Sequence, residues 1–238
     1  MKSQHPTQAR LLLVEDDDEL AALMLEYLGR HAFELDRVAS GDEAVEAIIE
    51  KRPHLVILDL MLPGMSGLDV CAQIRDRYSG ALLMLTASQS EADHVAALEL
   101  GADDFITKPI EPRILLARIR TQLRRLELDS APFNDDHQTT LHLGALQLNL
   151  AARRVQVDGV SVSLTEMEFN ILAMLAKQAG AVVQRDHLYR HVLGTEYDGL
   201  DRGLDVHVSR IRRKLERADF DTNRLRTVRA VGYLLTSQ

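Results

Sequence analysis

Residues 55–69, LVILDLMLPGMSGLD, hold a short apolar run, a carboxylate and a glycine-bearing turn, in that order. Leu55 to Leu58 reads as a strand, Asp59 ends it, and Gly64 and Gly67 belong to the turn that follows. Apolar residues from Val70 to Ile74 then recur at helical spacing, so the unit is a strand followed by a helix. The same unit recurs outward on both sides. Leu11 to Val14, Glu34 to Val38, Ala81 to Leu85 and Phe105 to Thr107 read as strands, and Leu20 to Leu28, Ala44 to Ile49, Val95 to Leu100 and Ile114 to Leu123 as helices. Five repeats imply an α/β, doubly wound, five-stranded parallel sheet. Every strand of such a sheet points the same way, so polar residues at the carboxyl ends gather in one crevice.

That crevice should receive Glu15 and Asp16 from the first strand and Asp59 from the third. Three carboxylates there repel one another unless a hard divalent cation holds them, and Mg²⁺ suits a site of carboxylates, waters and phosphate oxygens. Capping of the next helix by Asp16, Asp17 and Asp18 explains LLLVEDDDEL equally well, and both readings stand on that segment alone. Thr86 ends the fourth strand in LLMLTAS and Lys108 the fifth in DFITKP. A hydroxyl and an ammonium can each bind an oxygen of a transferring phosphoryl group. Either one could be an ordinary strand-end residue, but four strand ends carrying the needed groups favour a phosphoryl pocket.

VEDD, LVILDLMLPGMSGLD, LLMLTAS and GADDFITKP, in this order and spacing, resemble the receiver domain of response regulators, a CheY-like, flavodoxin-like fold, over residues 8–126. The resemblance implies that Asp59 takes a phosphoryl group from a phosphohistidine on a sensor histidine kinase. It implies Mg²⁺ ligation by Glu15, Asp16, Asp59 and the backbone carbonyl of Met61, with Thr86 and Lys108 on the phosphoryl oxygens. Phe105 stands at the switch aromatic, which turns inward as the threonine moves; most of the subfamily has Tyr there, so that hydroxyl is missing here. A cis peptide is expected before Pro109. Phosphorylation is expected to favour a homodimer joined by Glu99 with Arg120 and Asp104 with Arg118. His94 and Ile114 replace the usual basic and acidic residues of a third pair.

The net charge of −8 is unevenly spread. Residues 142–238 hold 14 basic and 11 acidic residues, or +3; the totals of 28 and 36 leave 14 and 25, or −11, for residues 1–141. Such asymmetry points to a regulatory half and a polyanion-binding half. Periodicity is lost near Leu126 to His142, so we expect a receiver over 1–126, a linker over 127–141 and a second domain over 142–238. There, strands near Leu146 to Leu150 and Arg154 to Val157 precede helices at Thr165 to Lys177, Arg185 to Leu193 and Asp201 to Arg217, and a hairpin spans Arg224 to Leu235. Thr165 and Glu168 have capping-box spacing.

In DRGLDVHVSRIRRKLER, Leu204, Val208, Ile211 and Leu215 form an apolar stripe beside basic faces. A solvated charged face is the bland reading, but the preceding helix and the Arg229 to Gly232 tip fit a winged helix-turn-helix, of α+β class, on double-stranded DNA. DVHVSRIRRKLE and TVRAVGYLL resemble the effector domain of the OmpR/PhoB family, and GTEYDGLDRGLDVHVSRIRRKL its RstA branch. The basic faces of the helix offer Arg202, His207, Arg210, Arg212, Arg213 and Lys214 as phosphate or base-edge donors; the resemblance implies DNA contacts by Arg202, His207, Arg210, Arg212 and Arg229, and an RNA polymerase contact over Leu193 to Gly199.

Other classes fare poorly. No stretch approaches the ~20 apolar residues of a membrane span, and Met1 to Arg10 lacks a signal-peptide core, so a cytoplasmic protein without membrane partners is expected. No P-loop occurs. An aspartyl phosphatase needs an acid or base two residues after its nucleophile, where Met61 stands, so no enzyme activity is expected. A single-strand RNA reader would need stacking aromatics that the basic helix lacks. His187 and His191 have metal-ligand spacing but no following Glu, and read as surface or packed histidines. Cys71 reads as an inert, partly buried thiol.

Overall fold

The chain separates into two units, Met1–Leu123 and Arg124–Gln238, and the computed structural model describes residues 8–88, 90–128, 140–193 and 203–237. The first unit carries strands Arg10–Val14 (β1), Glu34–Val38 (β2), Leu55–Asp59 (β3), Ala81–Thr86 (β4) and Asp104–Thr107 (β5). All pair in parallel, in the order β2-β1-β3-β4-β5. Helices Asp18–Gly29 (α1), Gly41–Lys51 (α2), Gly67–Ile74 (α3), Glu91–Leu100 (α4) and Pro112–Leu128 (α5) connect and follow them. β3 and β4 are buried at every position, which is why they read as unbroken apolar runs; edge strand β2, ELDRV, alternates with polar residues. Because the chain leaves β1 for β2 on one side and returns to β3 on the other, the order reverses between β1 and β3. That reversal opens the crevice beyond the carboxyl ends of those two strands.

Local chemistry fixes the helix starts around the crevice. Asp17 caps α1, its carboxylate accepting from the N–H groups of Glu19 at 2.9 Å and Leu20 at 3.0 Å. Ser66 caps α3. Gly67 opens that helix so close to β3 that a Cβ would lie 2.1 Å from the Asp59 carbonyl oxygen and 2.9 Å from Leu60 Cα, which leaves room only for glycine. The Lys108–Pro109 peptide is cis, as expected.

The second unit begins with four antiparallel strands in sequential order, Thr140–Leu143 (β6), Leu146–Asn149 (β7), Arg154–Val157 (β8) and Val160–Val162 (β9). The stretch 127–141, expected as a connector, overlaps the end of α5 and the first residues of β6. Glu166–Lys177 (α6) follows, with the Thr165/Glu168 capping box formed. Then come Val182–Gln184 (β10), Arg185–Leu188 (α7) running into a π-helical turn at Tyr189–Leu193, Gly203–Glu216 (α8), Leu225–Val228 (β11) and Gly232–Leu235 (β12). The last two form the hairpin, and β10 pairs with β12. Leu204, Val208, Ile211 and Leu215 of α8 are buried in one core with Ile171, Leu172 and Leu175 of α6. This is the winged helix-turn-helix arrangement of an effector domain.

Candidate functional site

Glu15, Asp16 and Asp59 meet at the reversal point, where one carboxylate oxygen from each lies within 4.8 Å of the others. Glu15 and Asp59 are 1% and 4% exposed, whereas Asp16 is exposed. Lys108 closes the cluster, its Nζ donating to Asp59 Oδ2 at 2.8 Å and to Glu15 Oε2 at 2.9 Å. Burial pushes the Glu15 carboxyl above its ordinary value and the charge of Asp59 acts the same way, against the hydrogen bond from Lys108. Burial alone would lower the Lys108 ammonium, but its hydrogen bonds to Asp59 and Glu15 outweigh it and raise the group. The acidic run divides its labour: Asp17 caps the helix, while Glu15 and Asp16 join Asp59.

Backbone contacts hold the cluster's frame. The Met61 N–H donates to Asp59 Oδ1 at 3.3 Å, and the Met61 side chain is exposed. Arg37, which the sequence reading did not single out, donates to the carbonyls of Glu15 at 3.0 and 3.1 Å and of Asp16 at 3.3 Å, and its Nη2 lies 2.7 Å from Asp18 Oδ1. Its position on polar edge strand β2 gave no signal that it braces the β1 terminus. Thr86 is buried, and its hydroxyl oxygen accepts from the Ser88 N–H at 3.0 Å.

On α8 the structure separates residues that the sequence grouped as one basic face. His207 and Arg210 are 1% and 5% exposed, and Arg210 Nη2 lies 2.9 Å from Oε1 of fully buried Glu168. Lys214 Nζ donates to Glu168 Oε2 at 2.7 Å, the same oxygen that accepts from the Thr165 N–H at 2.8 Å. Arg212 bonds the Leu225 carbonyl at 2.8 Å and Thr227 Oγ1 at 2.9 Å, tying α8 to β11. Direct reading of DNA by His207 and Arg210 is therefore corrected: they sit inside the domain, with Arg210 acting as a counter-ion for Glu168. Lys214 and Arg212 are half-buried, and each directs at least one donor within the domain. Arg213 on α8 and Arg229 at the hairpin tip are exposed, as are Ser209, Arg217, Arg226 and Thr227, which the sequence reading left out. Arg202 and residues 194–199 lie outside the described residues.

The response regulator receiver domain family matches residues 11–120, and the family described as transcriptional regulatory protein, C terminal, matches residues 159–235. The chain is 39% identical over 231 residues to transcriptional regulatory protein RstA of Escherichia coli strain K12, covering 94% of this chain and 96% of that protein. The chain belongs to the OmpR/PhoB family of transcriptional response regulators. Sensory transduction protein RegX3 of Mycobacterium tuberculosis strain H37Rv is 41% identical over 225 residues, covering 94% and 98% of the two chains. A solved RitR mutant shares the fold, with a TM-score of 0.71 at 22% identity, over 96% of this chain and 99% of that one. The rival phosphatase reading finds no support in these relatives.

Within the response-regulator frame, Asp104 and Arg118 pair inside the chain at 2.9 Å, while Glu99 and Arg120 are exposed. Ile114 is exposed too, and Phe105 is half-buried. His187 and His191 lie on the surface with ring centroids 4.1 Å apart. Cys71 is fully buried rather than partly so. Among the described residues, no helix is long and apolar enough to cross a membrane.

Proposed function

We propose that this response regulator receives a phosphoryl group on Asp59 from a sensor histidine kinase and answers by dimerising and binding paired DNA half-sites. The observation that carries the reading is Lys108 Nζ within 2.9 Å of both Glu15 and Asp59, from three different strand ends. An Asp59 oxygen attacks phosphorus, the bond to the donor's imidazole nitrogen breaks, and that nitrogen keeps the electron pair. Lys108 keeps a fixed positive charge beside the new acyl phosphate, and the Thr86 hydroxyl can donate to one of its oxygens. The clustered carboxylates of Glu15, Asp16 and Asp59 offer hard oxygen donors suited to Mg²⁺, to which we add the Met61 carbonyl, and the ion would neutralise charge on the transferring group.

Dimerisation through the α4–β5–α5 face raises the local concentration of two winged helices, so weak half-site contacts add up. Exposed Glu99 and Arg120 support a pair across that face. For DNA we favour Arg213 and Arg229, joined by Arg217, Arg226 and Thr227, because these side chains are exposed on the domain surface, where a phosphate or base edge can approach them. We place the protein in the cytoplasm, where kinase, DNA and RNA polymerase are available. Radiolabelled acetyl phosphate with Mg²⁺ tests the acceptor: the wild type takes up label, and Asp59→Asn takes up none. An equally labelled Asp59→Asn protein would refute the assignment.

A further inference from the structure

Position 94 bears a histidine whose two contacts join the crevice to the face beside it. The His94 and Phe105 rings are stacked, with centroids 3.9 Å apart and planes inclined by 24°. His94 Nε2 lies 2.9 Å from the Ser88 carbonyl oxygen. A carbonyl can only accept, so Nε2 carries the hydrogen. The next group along the chain is Thr86, whose hydroxyl oxygen accepts from the Ser88 N–H at 3.0 Å. The Ser88 hydroxyl also donates to Asp93, one residue before His94. One residue of the β4–α4 connection is thereby held at its carbonyl by His94, at its hydroxyl by Asp93 and at its N–H by Thr86.

We infer that His94 is a positioning residue that keeps the Thr86 hydroxyl turned to Ser88 and so sets how readily the pocket at Asp59 accepts a phosphoryl group. The Phe105 ring orients the imidazole plane, and the Nε2–H transmits that orientation to Ser88. Lys108 already faces Asp59 in this arrangement, whereas the Thr86 hydroxyl is engaged by Ser88. On this inference, turning the Thr86 hydroxyl oxygen onto a phosphoryl oxygen moves it off the Ser88 N–H, and Ser88 shifts with loss of its bond to His94. An aliphatic side chain at position 94 could hold neither Ser88 nor the ring. This inference rests on the phosphoacceptor reading above and adds a restraint on it.

The full-length protein with Mg²⁺ is titrated with beryllofluoride as a phosphoryl mimic, and bound beryllofluoride is read by fluorine NMR. Losing one hydrogen bond of ordinary strength that holds the unliganded arrangement lowers the half-saturating concentration about fivefold in His94→Ala. His94→Phe keeps the stack and loses the bond, so it shows the same fall. In a Thr86→Ala background the His94→Ala effect drops below twofold, which a merely structural role would not produce. If the wild type binds no beryllofluoride, the phosphoacceptor reading itself fails. If the wild type binds and both His94 variants stay within twofold of it, the role of His94 is overturned. A fivefold effect that survives in Thr86→Ala overturns the route through Ser88. Melting curves read by circular dichroism identify any variant that has lost its fold; His94→Phe, which fills the same space against Phe105, then decides alone.

Discussion

Arg210→Ala separates a structural from a DNA-reading role for α8. Arg210 is buried against Glu168, a fully buried carboxylate whose other partners are Lys214 and the Thr165 N–H. Removing one member of a buried ion pair costs about 3–5 kcal/mol when the remaining charge is stranded. Here Glu168 keeps Lys214 and its backbone donor, so the cost should fall to about 2–3 kcal/mol, including packing lost along the arginine stem. For a unit of this size that lowers the melting temperature by roughly 10 °C. The assay is calorimetry of the full chain, following the transition that DNA binding shifts, together with DNA affinity measured at several salt concentrations below melting. Arg210→Ala should move the transition and leave the salt slope as in the wild type. Arg213→Ala should leave the transition in place and reduce the slope by about one phosphate contact. A stable Arg210→Ala protein with a flattened slope would refute this reasoning and return Arg210 to the DNA surface.

Gly67→Ala forces a methyl group to within 2.1 Å of the Asp59 carbonyl, so the receiver should lose about 2 kcal/mol or more in urea unfolding; an unchanged midpoint would show that α3 can move away freely. Asp17→Ala should cost about 1 kcal/mol as a lost helix cap yet leave labelling of Asp59 intact, whereas loss of labelling would return Asp17 to the pocket. His54 accepts the Arg10 N–H at 2.9 Å, and burial, followed by the charge of Arg10, pulls its imidazole below the ordinary value of 6.5. The unfolded chain therefore takes up this proton first as pH falls, so the stabilisation is present above about 6.5 and is lost as pH drops through the lower folded value. Urea midpoints from pH 7.5 to 5 should fall more steeply in the wild type than in His54→Gln; equal slopes would remove His54 as a cause.

The receiver was legible because its geometry is repetitive. β3 and β4 lie in the middle of a parallel sheet with both faces covered, so their sequences are apolar without interruption. The polar residue that ends each run stands at the crevice, and Glu15, Asp16, Asp59, Thr86 and Lys108 could be named from position alone. What the sequence hid depends on partners far away in the chain. Arg37 supports the Glu15 carbonyl across 22 residues, and β2 gives no periodic signal for that contact. The 127–141 stretch read as one connector because helix α5 and strand β6 both run into it, and the composition of a helix end resembles that of a loop.

The basic helix shows how far local pattern can be pressed. At about 100° per residue, Leu204, Val208, Ile211 and Leu215 cluster within about 60° of arc, which placed the core face correctly. On the same wheel His207, Lys214 and Arg210 fall on one flank of that stripe, Arg212 on the other, and Arg213 opposite. The structure follows that order: Arg210 and Lys214 of the first flank meet Glu168, Arg212 meets β11, and Arg213 is exposed. Angle alone would have set Arg213 apart. It could not have shown that the first flank is buried, because Glu168 lies 46 residues before Lys214 and had already been assigned a task as the capping-box acid of α6. One carboxylate closing a helix start and balancing two cations leaves a single local trace, so the burial of Arg210 follows from the packing of α6 on α8 and from nothing nearer in the chain.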